Sequence, residues 1–152
     1  MGAPVSALAA ARHMCEKSDW TVTNLELQKM LYLAQMVYMG DHDGEPLFIG
    51  RFEAWDYGPV LPEVYRYARV FGSTPILDVF FGVRPIDDEE RREFLNSAYD
   101  QLSTRTAGDL VNITHWSGGA WNKYYTPGDK GIVIPNEAIF QEAKDRSRVK
   151  GG

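Results

Sequence analysis

The sequence predicts a mainly α fold: a bundle of about six helices with a small antiparallel β element near residues 51–55 and 131–134. Three observations carry this. Residues 24–39 repeat apolar side chains at helical spacing nearly all the way round, as in a helix buried among neighbours. Several further segments pair an apolar helical stripe with a capping signature at their start. Only two short stretches read as extended, too few for a sheet-based architecture.

Taken in order, residues 4–17 read as a first helix. Pro4 suits its first turn, and Val5, Leu8, Ala9, Arg12 and Cys15 lie near one face. Ser18 and Asp19 make a turn. Thr23 with Glu26 three residues later is a capping box, opening the central helix over 24–39, with Gly40 placed to end it in a left-handed cap. Leu27, Met30, Leu31, Ala34, Val37 and Tyr38 form its widest apolar face. Turn formers fill 41–46, and the aromatic run 47–57 is partly extended until Gly58 and Pro59 break it.

Residues 61–71 form the next helix, with Val64, Tyr65, Ala68 and Phe71 inward. The stretch 76–85 is an irregular connection with one short strand. Asp87 caps a helix striped by Phe94, Leu95, Ala98, Tyr99 and Leu102, with acidic residues at its positive end. Thr106 with Asp109 opens a short helix ending near His115, and 120–125 is a further helical turn. Residues 132–134 are a strand that pairs with 51–55, since buried backbone needs partners. Asn136 caps a last helix, and residues 144–152 are a basic, frayed tail after a single domain spanning 1–143.

Composition narrows the function classes. The chain has 152 residues, ordinary for one domain with a real core, and no apolar run long enough for a membrane span. The start lacks a signal peptide's long apolar run, and the lone cysteine, Cys15, fits a reducing cytoplasm. A formal charge of −5 speaks against non-specific nucleic-acid binding. Arg66 with Arg69, and Arg91 with Arg92, look like solvated helix faces. Only Lys144, Arg146, Arg148 and Lys150 could make phosphate contacts. Metal-ligand spacings, a nucleophile elbow and Gly-rich phosphate loops are all missing, so no catalytic residue, cofactor or metal is expected.

Three blocks carry a resemblance. They are Leu27, Gln28, Lys29, Leu31 and Tyr32 on the central helix; Ala54, Trp55, Tyr57, Gly58, Pro59 and Val60 after it; and His115 with Trp121 downstream. Together they resemble the signature of the Panacea antitoxin domain, the phage-associated GepA-like family, from about residue 5 to 140. Met30 stands where the family usually has Leu. The resemblance implies a SocA-like antitoxin rather than an enzyme: a protein that neutralises a cognate toxin by direct contact, and one that also delivers it to the ClpXP protease. An acidic surface would suit a basic toxin.

Among individual residues, Gln28 is polar on an apolar helix and is expected to tie that helix to the turn at 57–59. Tyr32, Gly58, Pro59 and Trp121 complete the structural motif. Trp55 and Tyr57 alternate on an extended segment and so share a face, which is expected to pack inward, with one of them left to line a binding groove as the alternative. With Tyr65, His115 and Trp116 they are the candidate partner-binding residues, because Trp and Tyr anchor protein interfaces. His115 also has other readings: a helix C-cap or a hydrogen bond to a buried carbonyl, or the working residue of a small hydrolase or ligand-binding enzyme if an acid such as Asp56 or Asp109 meets it. A DNA-associated regulator would need a contiguous basic face, which only the tail offers.

Overall fold

The computed structural model describes residues 5–151, with side chains from Val5 to Val149. The described residues form seven α-helices, α1 Ala7–Lys17, α2 Asn24–Asp41, α3 Pro62–Ala68, α4 Glu89–Leu102, α5 Ala107–Thr114, α6 Ala120–Tyr124 and α7 Asn136–Gly151. The strands are β1 Val5–Ser6, β2 Phe48–Ile49, β3 Phe52–Trp55, β4 Gly58–Val60 and β5 Val133–Ile134. The fold is mainly α, as predicted, and β3 pairs antiparallel with β5 in the expected place, with Phe52 opposite Ile134.

α2 is the hub. It packs against α1, α3, α4, α5, α7 and β4, and its residues 27–36 are all buried. The capping box forms: Glu26 N–H donates to Thr23 Oγ1 at 3.3 Å, and Thr23 N–H to Glu26 Oε1 at 2.9 Å. The buried apolar residues gather into one cluster running from Ala7 to Ile139. Cys15 lies within it, and burial, then nearby Asp78 and Glu16, push its thiol up to about 12.

Several local expectations are corrected. Pro4 lies outside the described residues; Val5 and Ser6 form a strand parallel to β2, and Ser6 is the α1 N-cap. Leu8 is only half-buried, while Ala7, Ala10, Ala11 and Met14 are fully sealed, and Arg12 turns out to reach Val83 O at 2.9 Å. α2 does not stop at Gly40, because Gly40 is where α7 crosses closely. A Cβ there would stand 2.9 Å from Ala143 Cβ. The left-handed residues come later, at Asp43 and Gly44. Val37, expected inward, is 45% exposed.

Gly58 and Pro59 do not break the extended run. They carry it round a hairpin, with β4 antiparallel to β3 and Trp55 opposite Gly58. β4 is an edge strand, where proline is tolerated. The connection at 76–85 contains no strand, and Asp88 rather than Asp87 caps α4. The expected tail is part of α7, which continues to Gly151. Arg91 is not solvated: its guanidinium is buried, donating to Leu47 O and Pro46 O and pairing with Asp88 at 2.6 Å.

Candidate functional site

The β3–β4 hairpin packs against α2 and α5 through β4, and its exposed turn carries an aromatic residue. Asp56 and Tyr57 make the turn, and Tyr57 is 71% exposed. The alternation that would have placed Trp55 and Tyr57 on one face ends at Trp55, because the chain reverses there. Trp55 is half-buried, with Tyr65 of α3 edge-on to it at 4.8 Å and Lys130 over its ring at 5.0 Å. On the other side, His115, Trp121 and Tyr125 stack in a ladder, with centroid spacings of 3.7 and 4.6 Å. The Tyr125 hydroxyl donates to Asp56 at 2.6 Å.

What lies beneath this tip is polar and buried. Gln28 Oε1 accepts from Leu61 N–H at 2.8 Å, so Gln28 ties α2 to the chain just past the expected turn. The neighbouring residue does what Gln28 was expected to do: Lys29 Nζ donates to Pro59 O at 2.9 Å. Lys29 is fully buried, and burial lowers its ammonium to about 7. Trp121 Nε1 donates to Trp55 O at 2.7 Å, fixing the hairpin from the α6 side. Gly58, at φ 115°, is required twice over. Its backbone is left-handed, and a Cβ would stand 2.9 Å from both Lys29 Cε and Thr114 Oγ1.

A second polar network supports α6. Glu142 of α7 is buried; its Oε1 accepts from Tyr32 Oη at 2.6 Å and from Ala120 N–H at 2.9 Å. Its other oxygen pairs with Arg146 at 2.7 Å, and Arg146 donates to Ile113 O and lies over the Trp116 ring. Gly119 leaves room for the carboxylate, since a Cβ there would stand 2.9 Å from Glu142 Oε1. Each polar motif side chain of α2 therefore has a specific tie: Gln28 to Leu61, Lys29 to Pro59, Tyr32 to Glu142.

His115 caps α5 and stacks on Trp121, with Nε2 buried and without a hydrogen-bond partner. Burial first, then the Lys29 charge, lower its pKa, while the nearby Tyr57 backbone opposes them. The hydrolase reading needed an acid here. Asp56 is instead engaged by Tyr125, and Asp109 stands in the opposite end turn of α5. Trp116 is not part of the hairpin cluster; it faces a groove beside α7. Among the described residues no three His, Cys, Asp or Glu side chains are grouped to hold a metal, and no helix is long and apolar enough to cross a membrane.

Of the five candidate partner-binding residues, Trp55, Tyr57, Tyr65 and His115 lie around the hairpin and Trp116 lies apart, while Tyr125 and Lys29, which join the first four there, were not among the candidates. Lys29 carried a usable signal, a cation on a helix apolar nearly all round. Comparison with known proteins agrees with the motif. A family model described as "Antitoxin SocA-like, Panacea domain" matches residues 27–122, which takes in Gln28, Lys29 and Tyr32 of α2, the hairpin and Trp121. The chain is 35% identical over 157 aligned positions to Antitoxin SocA of Caulobacter vibrioides (strain NA1000 / CB15N), covering 95% of this chain and 83% of that protein. No solved structure matches it.

Proposed function

The chain belongs to the SocA-like Panacea antitoxin family, and we propose that it neutralises a cognate toxin by direct protein contact through the aromatic hairpin face. The observation that carries the assignment of the face is Tyr57: a large aromatic, 71% exposed, on a turn whose strands are pinned from below by Gln28, Lys29 and Trp121. An exposed anchor held in one geometry loses little entropy on binding. Trp55, Tyr65 and His115 flank it and supply the surrounding contact. Trp116, which faces elsewhere, is left out of this face.

The same reading gives the protein a second task, as an adaptor that brings toxin and the ClpXP protease together and raises their effective concentration. Both parts are tested by co-expressing the tagged chain with the product of the adjacent gene. Recovered growth with a stable co-purifying pair supports neutralisation by occlusion. Recovered growth with the neighbour's disappearance, reversed when ClpXP is removed, supports the adaptor. Tyr57→Ala should keep the fold and lose protection. Full protection by that variant would remove the hairpin face from the mechanism, and a harmless neighbour that never co-purifies would end the antitoxin reading.

A further inference from the structure

Away from the hairpin, α2, α4, α5 and α7 leave an open groove of about 890 Å³. It runs beside the C-terminal half of α2: Val37 is eight residues from Lys29, roughly 12 Å along the helix axis. Leu33, Met36, Ile113 and Trp116 line its apolar part. Val37 and Val149 stand at its mouth, 45% and 68% exposed. Two valines left in water beside an apolar trough are an unfinished packing surface.

The rim has a definite sign. Arg105, Lys144, Arg146 and Arg148 line the groove against a single carboxylate, Asp41. Glu142 neutralises Arg146, and Asp145 pairs with Arg148 at 3.2 Å. Arg105 and Lys144 have no carboxylate partner among the described residues, although Lys144 lies over the Phe140 ring. On a chain of net charge −5 this is a local reversal. An apolar trough with unpaired cations on its edge fits one kind of occupant. We infer that this groove is a second protein-docking site, taking an amphipathic helical segment whose apolar stripe is flanked by carboxylates. Such a segment would fill the trough at i, i+3 or i+4, and i+7, and set its acids against Arg105 and Lys144. A basic partner would meet like charge, and a wholly polar one would leave the trough wet.

The test uses the full chain and two labelled synthetic helical peptides with the same leucine stripe, one flanked by Glu and one by Lys. Fluorescence anisotropy should show saturable binding of the Glu peptide that weakens with salt, and none of the Lys peptide. Hydrogen exchange should show protection at Val37, Ile113 and Trp116. Arg105→Glu with Lys144→Glu should weaken binding about fivefold to tenfold, and Val37→Asp should weaken it independently. All three side chains are on the surface, so circular dichroism melts should match the parent. Absence of saturable binding would overturn the inference. So would equal binding of both peptides, or protection confined to the hairpin. If a DNA duplex binds in a manner sensitive to the two charge reversals while neither peptide does, the groove belongs to nucleic acid and the inference fails.

Discussion

Replacing Lys29 with methionine should flatten part of the protein's stability against pH. In the folded chain burial lowers the Lys29 ammonium from an ordinary 10.5 to about 7. With the folded value depressed, the unfolded chain binds more protons between these two limits. The stability linked to this site is therefore fully present above 10.5 and is lost as pH falls through 7. A one-proton difference is worth about 1.4 kcal/mol per pH unit. From about pH 7 to about pH 9 the parent should gain on the order of 2 kcal/mol from Lys29, after allowing for partial titration at the lower end. Lys29→Met also strips Pro59 O of its donor, a cost of about 1–3 kcal/mol that does not vary with pH.

The difference between parent and variant is the informative quantity. Cys15, whose thiol is pushed up, and the buried tyrosines titrate in both proteins and cancel. His115, whose pKa burial and the Lys29 charge lower, loses the second of these in the variant, so the gap is read from the upper part of the range. The assay is urea unfolding followed by circular dichroism at several values across about pH 7 to 9, for both proteins in the same buffer series. The stability gap should widen steadily with pH. A gap constant to within about 0.5 kcal/mol would mean that Lys29 keeps an ordinary pKa when folded, and the reasoning from burial would be refuted.

Four further substitutions can be measured with the same unfolding assay. Tyr32→Phe should cost about 1–2 kcal/mol through the lost hydroxyl bond to Glu142. Glu142→Leu should cost more, about 3–5 kcal/mol, because it leaves Arg146 and Ala120 N–H without their partner; an unchanged midpoint in either variant would contradict the network. Gly40→Ala should fail to deliver the roughly 1 kcal/mol that a better helix former normally brings, because its Cβ meets Ala143. Adding Ala143→Gly should restore that gain, and strict additivity in the double-mutant cycle would count against the close crossing. Gln35→Leu leaves Leu47 N–H and Phe48 N–H without their acceptor, so a loss of about 2–4 kcal/mol is expected. Faster hydrogen exchange should appear at residues 47 and 48, and unchanged protection there would show that another acceptor takes over.

The parts of this fold legible in the sequence are those set by local chemistry. The capping box at Thr23, the caps at Thr106 and near Asp88, and the all-round apolar α2 follow from spacing within a turn or two. The pairing of 51–55 with 131–134 was recoverable because few other extended pieces existed. What local pattern could not give was the effect of distant neighbours. Gly40 reads as a helix terminator, and only the approach of Ala143 explains why glycine sits inside the helix. Arg91 reads as a surface cation, and only the carbonyls of Pro46 and Leu47 make its burial tolerable. For the site, the aromatic residues were visible by type. Their division between the hairpin face and the α7 groove, which separates His115 from Trp116, depends on where α5 ends relative to α7.

The sealed position of Cys15 has a practical corollary. Its thiol is fully buried and held far from the thiolate form, so maleimides and disulfide reagents should find nothing to modify in the native chain. A cysteine introduced at position 57 or 37 would then be the sole reactive handle. Spin labels, fluorophores or crosslinkers could be attached one site at a time without first removing a native residue. The protein is thus ready for mapping which of the two proposed faces a bound partner covers, by direct proximity rather than by inference from loss of function.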